Sequence, residues 1–110
     1  MALEARAALL RIYTDESARF GSKALFEVIV RKARDDGLAG ATVLRGPMGF
    51  GRSNQIQNAS ILDLSANLPL VIEMVDSEEK LRAFVNSLES MKDIGLVTLE
   101  KVEILHQSAP

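Results

Sequence analysis

The chain has 110 residues, enough for one domain but near the small end, where apolar surface stays exposed unless copies associate. Its 13 basic and 15 acidic residues sum to 13 − 15 = −2 without long blocks of either sign, which excludes bulk attraction to nucleic acid or anionic lipid. With no cysteine and a single histidine, a disulfide framework, a thiolate metal site and a histidine ligand cluster are excluded, and no metal is expected.

The N-terminal stretch lacks the apolar core of a secretory peptide. No apolar run approaches the ~20 residues of a membrane span, so the expectation is a cytoplasmic protein without direct membrane insertion.

Residues 7–14, AALLRIYT, read as a first strand with Leu10 and Ile12 on one face and Leu9, Arg11 and Tyr13 on the other. A polar link ends at Ser22, a candidate N-cap for a helix that runs to Asp36 and stops at Gly37, where a left-handed residue fits. That assignment puts Lys23 in the first helical turn, where a cation opposes the helix dipole. Leu25, Val28, Ile29 and Ala33 form the stripe of this helix, and Phe26 and Val30 widen it.

Ala41 to Leu44 has the character of a second strand. The following Gly46-Pro-Met-Gly-Phe-Gly51 interrupts it, because Pro47 has no amide donor and glycines favour turns and bulges. Residues 46–68 therefore form a long excursion, with Ala59 to Leu64 as an extended arm that could hairpin with the end of strand two. Excursions of that length in compact domains are usually functional.

Pro69 to Val75 is the clearest strand, with its proline at the start where a missing donor is tolerated. Asp76 followed by Glu79 has capping-box spacing for a second helix, along which Leu81, Phe84, Val85, Leu88 and Met91 form one stripe ending at Gly95. The last strand runs from Leu96 to about His106, with a phase slip near Glu100 and Lys101 that suggests a bulge.

The order β-α-β-(arm)-β-α-β predicts a single α+β domain over residues 1–110, core 7–106, of the ferredoxin-like βαββαβ type: an antiparallel sheet with two helices on one face, plus an extra β-arm between strands two and three. The uncovered face would expose Leu9 and Tyr13, and packing sheets of several copies together would remove it from water. Glu73, pointing outward from strand three, then needs a partner, with Arg11 or Lys101 in reach.

Several fragments carry a resemblance over nearly the whole chain, from Ala8 to Leu105. They are Leu10-Arg-Ile-Tyr, Glu16 with Arg19, Gly21 and Lys23, the block from Gly37 to Gly51 with five of the seven glycines, Leu68-Pro-Leu-Val-Ile-Glu73, and Gly95-Leu-Val-Thr-Leu-Glu100. Together they resemble domain-of-unknown-function family one hundred and ninety, whose members look like PII signalling proteins. The resemblance implies a ferredoxin-like fold, a homotrimer, and a signal-transduction role rather than an enzymatic one. It also implies an adenine nucleotide (ATP, ADP or AMP) as ligand at intersubunit clefts, and a membrane transporter or channel such as a fluoride exporter as partner. The sequence departs from PII proteins in having no arginine pair from Val102 to Leu105 and no tyrosine in the loop.

The candidate ligand-binding residues are accordingly Arg45, Gly46, Gly49, Phe50, Gly51 and Arg52, whose backbone amides and two guanidinium groups suit an anion, with Lys23 and Arg11 as further cations. Bland alternatives stand beside each: a structural turn for the glycines, an intersubunit ion pair for Arg11, a solvated side chain for Lys23, a loop ion pair between Glu16 and Arg19, and a loop anchor for Phe50. No catalytic residue is assigned, since a hydrolase of the acylphosphatase type would need an arginine-asparagine site that is missing. Nucleic acid is not expected, Tyr13 being the single strand aromatic. The second function class that fits is a ligand-free interaction module using the 46–68 arm.

Overall fold

The computed structural model describes residues 6–60, 66–91 and 93–109. Four strands form the main sheet: β1 (Ala7–Asp15), β4 (Thr42–Arg45), β7 (Pro69–Ser77) and β8 (Leu96–Lys101). Two helices, α1 (Leu25–Asp35) and α2 (Glu78–Asn86), follow β1 and β7 respectively, with the small hairpin β2 (Arg19–Phe20) and β3 (Lys23–Ala24) leading into α1. A second small hairpin joins β5 (Met48–Gly49) to β6 (Gln57–Asn58).

The spatial order is β4-β7-β1-β8 with antiparallel neighbours throughout, so each β-α-β half straddles a strand of the other half. This is the expected ferredoxin-like arrangement. The pleat sorts the side chains as the sequence predicts: Leu10 pairs with Met74 and Leu99, and Ile12 with Ile72 and Val97, on the face covered by helices. Leu25, Ile29 and Ala33 of α1 and Leu81 and Phe84 of α2 close that core, joined by Leu88 and Met91 beyond the helix end. Each fully buried side chain of this size contributes roughly 1.5–3 kcal/mol before chain entropy is subtracted.

Several boundaries differ from expectation. Ser22 is not an N-cap: Lys23 and Ala24 pair with Phe20 and Arg19, and α1 starts at Leu25 behind an extended Ala24 that provides no side-chain cap. The start is held instead by Leu25 N donating to Ala18 O at 2.9 Å. Lys23 therefore lies on a hairpin, which removes the conflict with the helix dipole. At the other end Gly37 does take positive φ, 79°.

Asp76 is not the cap of α2 either. The strand continues through it to Ser77, whose hydroxyl accepts from Lys80 N at 3.2 Å. Asp76 is only 1% exposed, and its carboxylate accepts from Ala39 N at 2.8 Å and Ser77 N at 2.7 Å, with Lys80 Nζ 3.7 Å away. Lys80 also donates to Gly37 O at 2.8 Å. The acidic residue thus ties the exit of α1 to the entry of α2.

The second helix is shorter than its apolar stripe, because turns from Ser87 to Ser90 carry Leu88 and Met91 into the core after Asn86. Gly95, at φ 87°, sits so close to β1 that a Cβ there would land on the carbonyl oxygen of Tyr13. The last strand ends at Lys101, where the phase slips, so it stops short of His106 instead of bulging. Val102 N makes one more bond, to Ala7 O at 3.1 Å. The expected arm falls earlier than Ala59: the pairing strand is Gln57–Asn58, its partner is Met48–Gly49 rather than the end of β4, and residues 61–64 lie outside the described residues.

Replacing Asp76 by alanine strands two backbone amides and should cost about 2–4 kcal/mol. Urea unfolding checks this, and a loss under about 1 kcal/mol would deny the carboxylate its tying role.

Candidate functional site

One end of the sheet gathers the termini of three strands. Asp15 of β1 pairs with Pro69 of β7, and Arg45 of β4 pairs with Leu70, so the turn after β1 and the excursion after β4 emerge together. Asp15 shapes the turn by accepting from Ser17 N at 3.1 Å and Ala18 N at 2.9 Å. Glu16 then binds Leu68 twice, through Glu16 N to Leu68 O at 3.1 Å and Leu68 N to Glu16 Oε1 at 3.2 Å, and its other oxygen lies 3.4 Å from Arg45 Nη1. The Glu16 partner is thus Arg45, not Arg19. The return leg is held by Asn67, whose side chain accepts from Ser17 N at 2.9 Å while its amide donates to Gln57 Oε1 at 2.9 Å.

The glycines of the block have separable reasons. Gly46 N donates to Pro69 O at 2.9 Å, and a Cβ on Gly46 or Gly49 would stand 3.1 or 3.0 Å from Pro69 Cγ. Both glycines therefore let the loop lie against a rigid proline ring, a structural reason the sequence does not reveal. Gly51 has nothing within 4 Å of such a Cβ. It accepts from Asn54 N at 2.9 Å across the tip, where Asn54 holds the left-handed conformation at φ 63°. A further bond, Ala59 N to Pro47 O at 2.7 Å, closes the base of the hairpin.

The large apolar side chains on this hairpin point outward. Met48, Phe50 and Ile56 are 58%, 65% and 65% exposed, and Arg52 is exposed at the tip. Phe50 does not belong to the buried core cluster. Arg45, Gly46, Gly49, Phe50, Gly51 and Arg52 are thus brought together, whereas the other two candidates lie elsewhere.

Arg11 sits mid-strand on the open face, Nε 2.9 Å from Glu73 Oε2 and Nη1 2.6 Å from Glu100 Oε1. Those two carboxylates, Glu73 first, hold the guanidinium above its ordinary pKa. Arg11 thus pairs with Glu73 within one chain. Lys23 lines a cavity of about 860 Å³ with Arg19, Glu27 and Arg31 beside α1. A second cavity, about 730 Å³, lies at the opposite end of the open face, where Val102 to Gln107 pass over Leu9 and Val75 towards Ala39–Thr42. The Gly46–Arg52 loop lines neither.

Residues 7–104 match the family described as DUF190, Uncharacterized ACR. The chain belongs to the DUF190 family. A UPF0166 protein of Aquifex aeolicus (strain VF5) is 38% identical over 98 residues, 89% of this chain and 92% of that protein. Among solved structures, CPII of Thiomonas intermedia K12, bound to ADP and bicarbonate, superposes with a TM-score of 0.66 at 15% identity, over 89% of this chain and 87% of that one. A Thermus thermophilus protein described as PII-like gives 0.63 at 16% identity, over 89% and 88%. The DUF190 chain therefore has the PII-like fold, as its sequence fragments imply.

The contact between Gly49 and Pro69 is open to a double-mutant cycle. Gly49→Ala should lose about 1 kcal/mol, and much of that loss should vanish when Pro69→Ala removes the ring. Strict additivity in chemical denaturation would show that the glycine serves something other than packing.

Proposed function

We propose that this protein is a PII-like regulatory trimer that binds a small anionic ligand, an adenine nucleotide, at clefts between copies and signals to a partner protein through the 46–68 excursion. The observation that carries the reading is the stretch from Arg45 to Arg52, which runs from the base of a projecting hairpin to its tip with an exposed guanidinium at each end, that of Arg45 3.4 Å from Glu16, and no acidic residue in between. The PII-like fold supports it, with a relative of that fold bound to ADP. The role is regulatory and not enzymatic, and the protein works in the cytoplasm. Its partner is a membrane transporter or channel, the class the family resemblance implies.

The open sheet face supports assembly. Pairing aligns Leu44, Val71, Tyr13 and Leu96 in one apolar row across all four strands, of which Tyr13, Leu44 and Leu96 are 39%, 48% and 62% exposed. Beside it runs the polar row Thr42, Glu73, Arg11 and Thr98, already paired at its centre. On such a face the arginine and both glutamates already have hydrogen-bond partners before copies of the chain meet.

Isothermal calorimetry with ATP, ADP and AMP should show binding that Arg45→Ala and Arg52→Ala each weaken about tenfold. Absence of heat with all three nucleotides would leave the second reading, a ligand-free module, favoured by the three exposed apolar side chains on the hairpin. Native mass spectrometry should give three copies for the wild type and a smaller species for Tyr13→Glu, which would place an unpaired charge in the apolar row.

A further inference from the structure

Two hairpins leave the same end of the sheet, and both carry exposed apolar side chains beside cations. On the first, Phe20 is 41% exposed between the exposed Arg19 and Lys23. On the second, the register Met48↔Asn58 and Gly49↔Gln57 sets Phe50 opposite Ile56 at the next position, so Met48, Phe50 and Ile56 share one side, with Arg52 at the turn. None of these four apolar side chains belongs to the buried core.

Charge is distributed unevenly. Residues 15–24 and 44–60 hold Arg19, Lys23, Arg45 and Arg52 against Asp15 and Glu16, 4 − 2 = +2, in a chain of −2, so the remaining residues sum to −4. Asp63 is counted in that remainder and lies outside the described residues. The two acids at this end are engaged inward, Asp15 with Ser17 and Ala18, and Glu16 with Leu68 and Arg45. Arg52 faces solvent at the tip, and Arg19 and Lys23 are exposed beside the cavity along α1 that Arg31 and Lys32 line together with Glu27, Asp35 and Asp36. The overall negative charge that excludes bulk attraction to anionic lipid therefore hides a cationic end.

We propose that this end docks on an anionic bilayer surface, with Phe20, Met48, Phe50 and Ile56 entering the interface and Arg19, Lys23 and Arg52 meeting lipid phosphates. A protein partner would need a continuous patch or pocket shaped to these side chains. They are instead borne on two separate hairpins, Phe20 on one and Met48, Phe50 and Ile56 on the other. A bilayer interface has no fixed shape and accepts discontinuous apolar tips flanked by cations. The turn from Gly51 to Asn54 would stay at headgroup depth, where water and phosphate satisfy its free backbone groups.

The test is co-sedimentation of the full chain, without nucleotide or any second protein, with vesicles of phosphatidylcholine alone or mixed equally with phosphatidylglycerol. The expected result is binding to the mixed vesicles that falls with added salt. Binding should drop roughly tenfold or more in F50S/I56S and in R52E. Phe20→Ser on the other hairpin should weaken it as well, with unfolding midpoints unchanged because all the substituted side chains are exposed. Absence of binding to mixed vesicles, or equal binding by F50S/I56S, would overturn the proposal. Because the assay contains no nucleotide, its failure leaves the calorimetric test of ligand binding untouched.

Discussion

Glu16 is the residue on which the arrangement of the functional end depends. Its amide and one carboxylate oxygen take both backbone groups of Leu68, and its other oxygen faces Arg45, so the ends of β1 and β4 and the approach to β7 meet at one side chain. An exposed ion pair such as that with Arg45 is worth only about 0–1 kcal/mol. The backbone bonds matter more, since they return a long excursion to the sheet at a fixed point. They act with the bonds of Asn67 to Ser17 and Gln57 and of Gly46 to Pro69, because a hairpin of two residue pairs is too short to be stable alone in water.

The same logic of early satisfaction governs the open face. A lone arginine and two glutamates in the middle of an apolar sheet surface would obstruct association, because each would have to be desolvated unpaired. Arg11 removes that obstacle by reaching Glu73 directly across β7 and Glu100 diagonally on β8. What remains to be covered is a row of side chains with little directional preference. The polar row then fixes how two such faces can align without supplying the driving force.

Fold was legible in the sequence because it rests on periodicity. The alternation of Leu10 and Ile12 against Leu9 and Tyr13, and the stripe from Leu81 to Met91, are direct consequences of strand and helix geometry. Helix starts were not legible to the residue. Ser22 and Asp76 have the right chemistry for caps, yet Ser22 falls in a tight hairpin, and Asp76 is drawn one position into the strand to satisfy Ala39 from another loop. Both errors come from long-range bonds overriding a local preference. The Glu16 pairing with Arg45, far apart in the chain, is invisible for the same reason.

The glycine-rich block shows how the two kinds of reasoning divide a motif. Sequence alone marks Gly46, Gly49 and Gly51 as equivalent, and a phosphate-binding loop would use all three for backbone access. The structure separates them: Gly46 and Gly49 lie tight against the ring of Pro69, whereas Gly51 has open space where a side chain would go and no positive φ. Glycine content at the first two positions therefore no longer argues for a ligand. What still argues for one is a tip at which Phe50, Gly51 and Arg52 stand exposed, outside the buried core. A fold that binds so much of the excursion back to Glu16, Ser17 and Pro69 leaves these three residues presented outward, and presentation is the cost-bearing feature that function must account for.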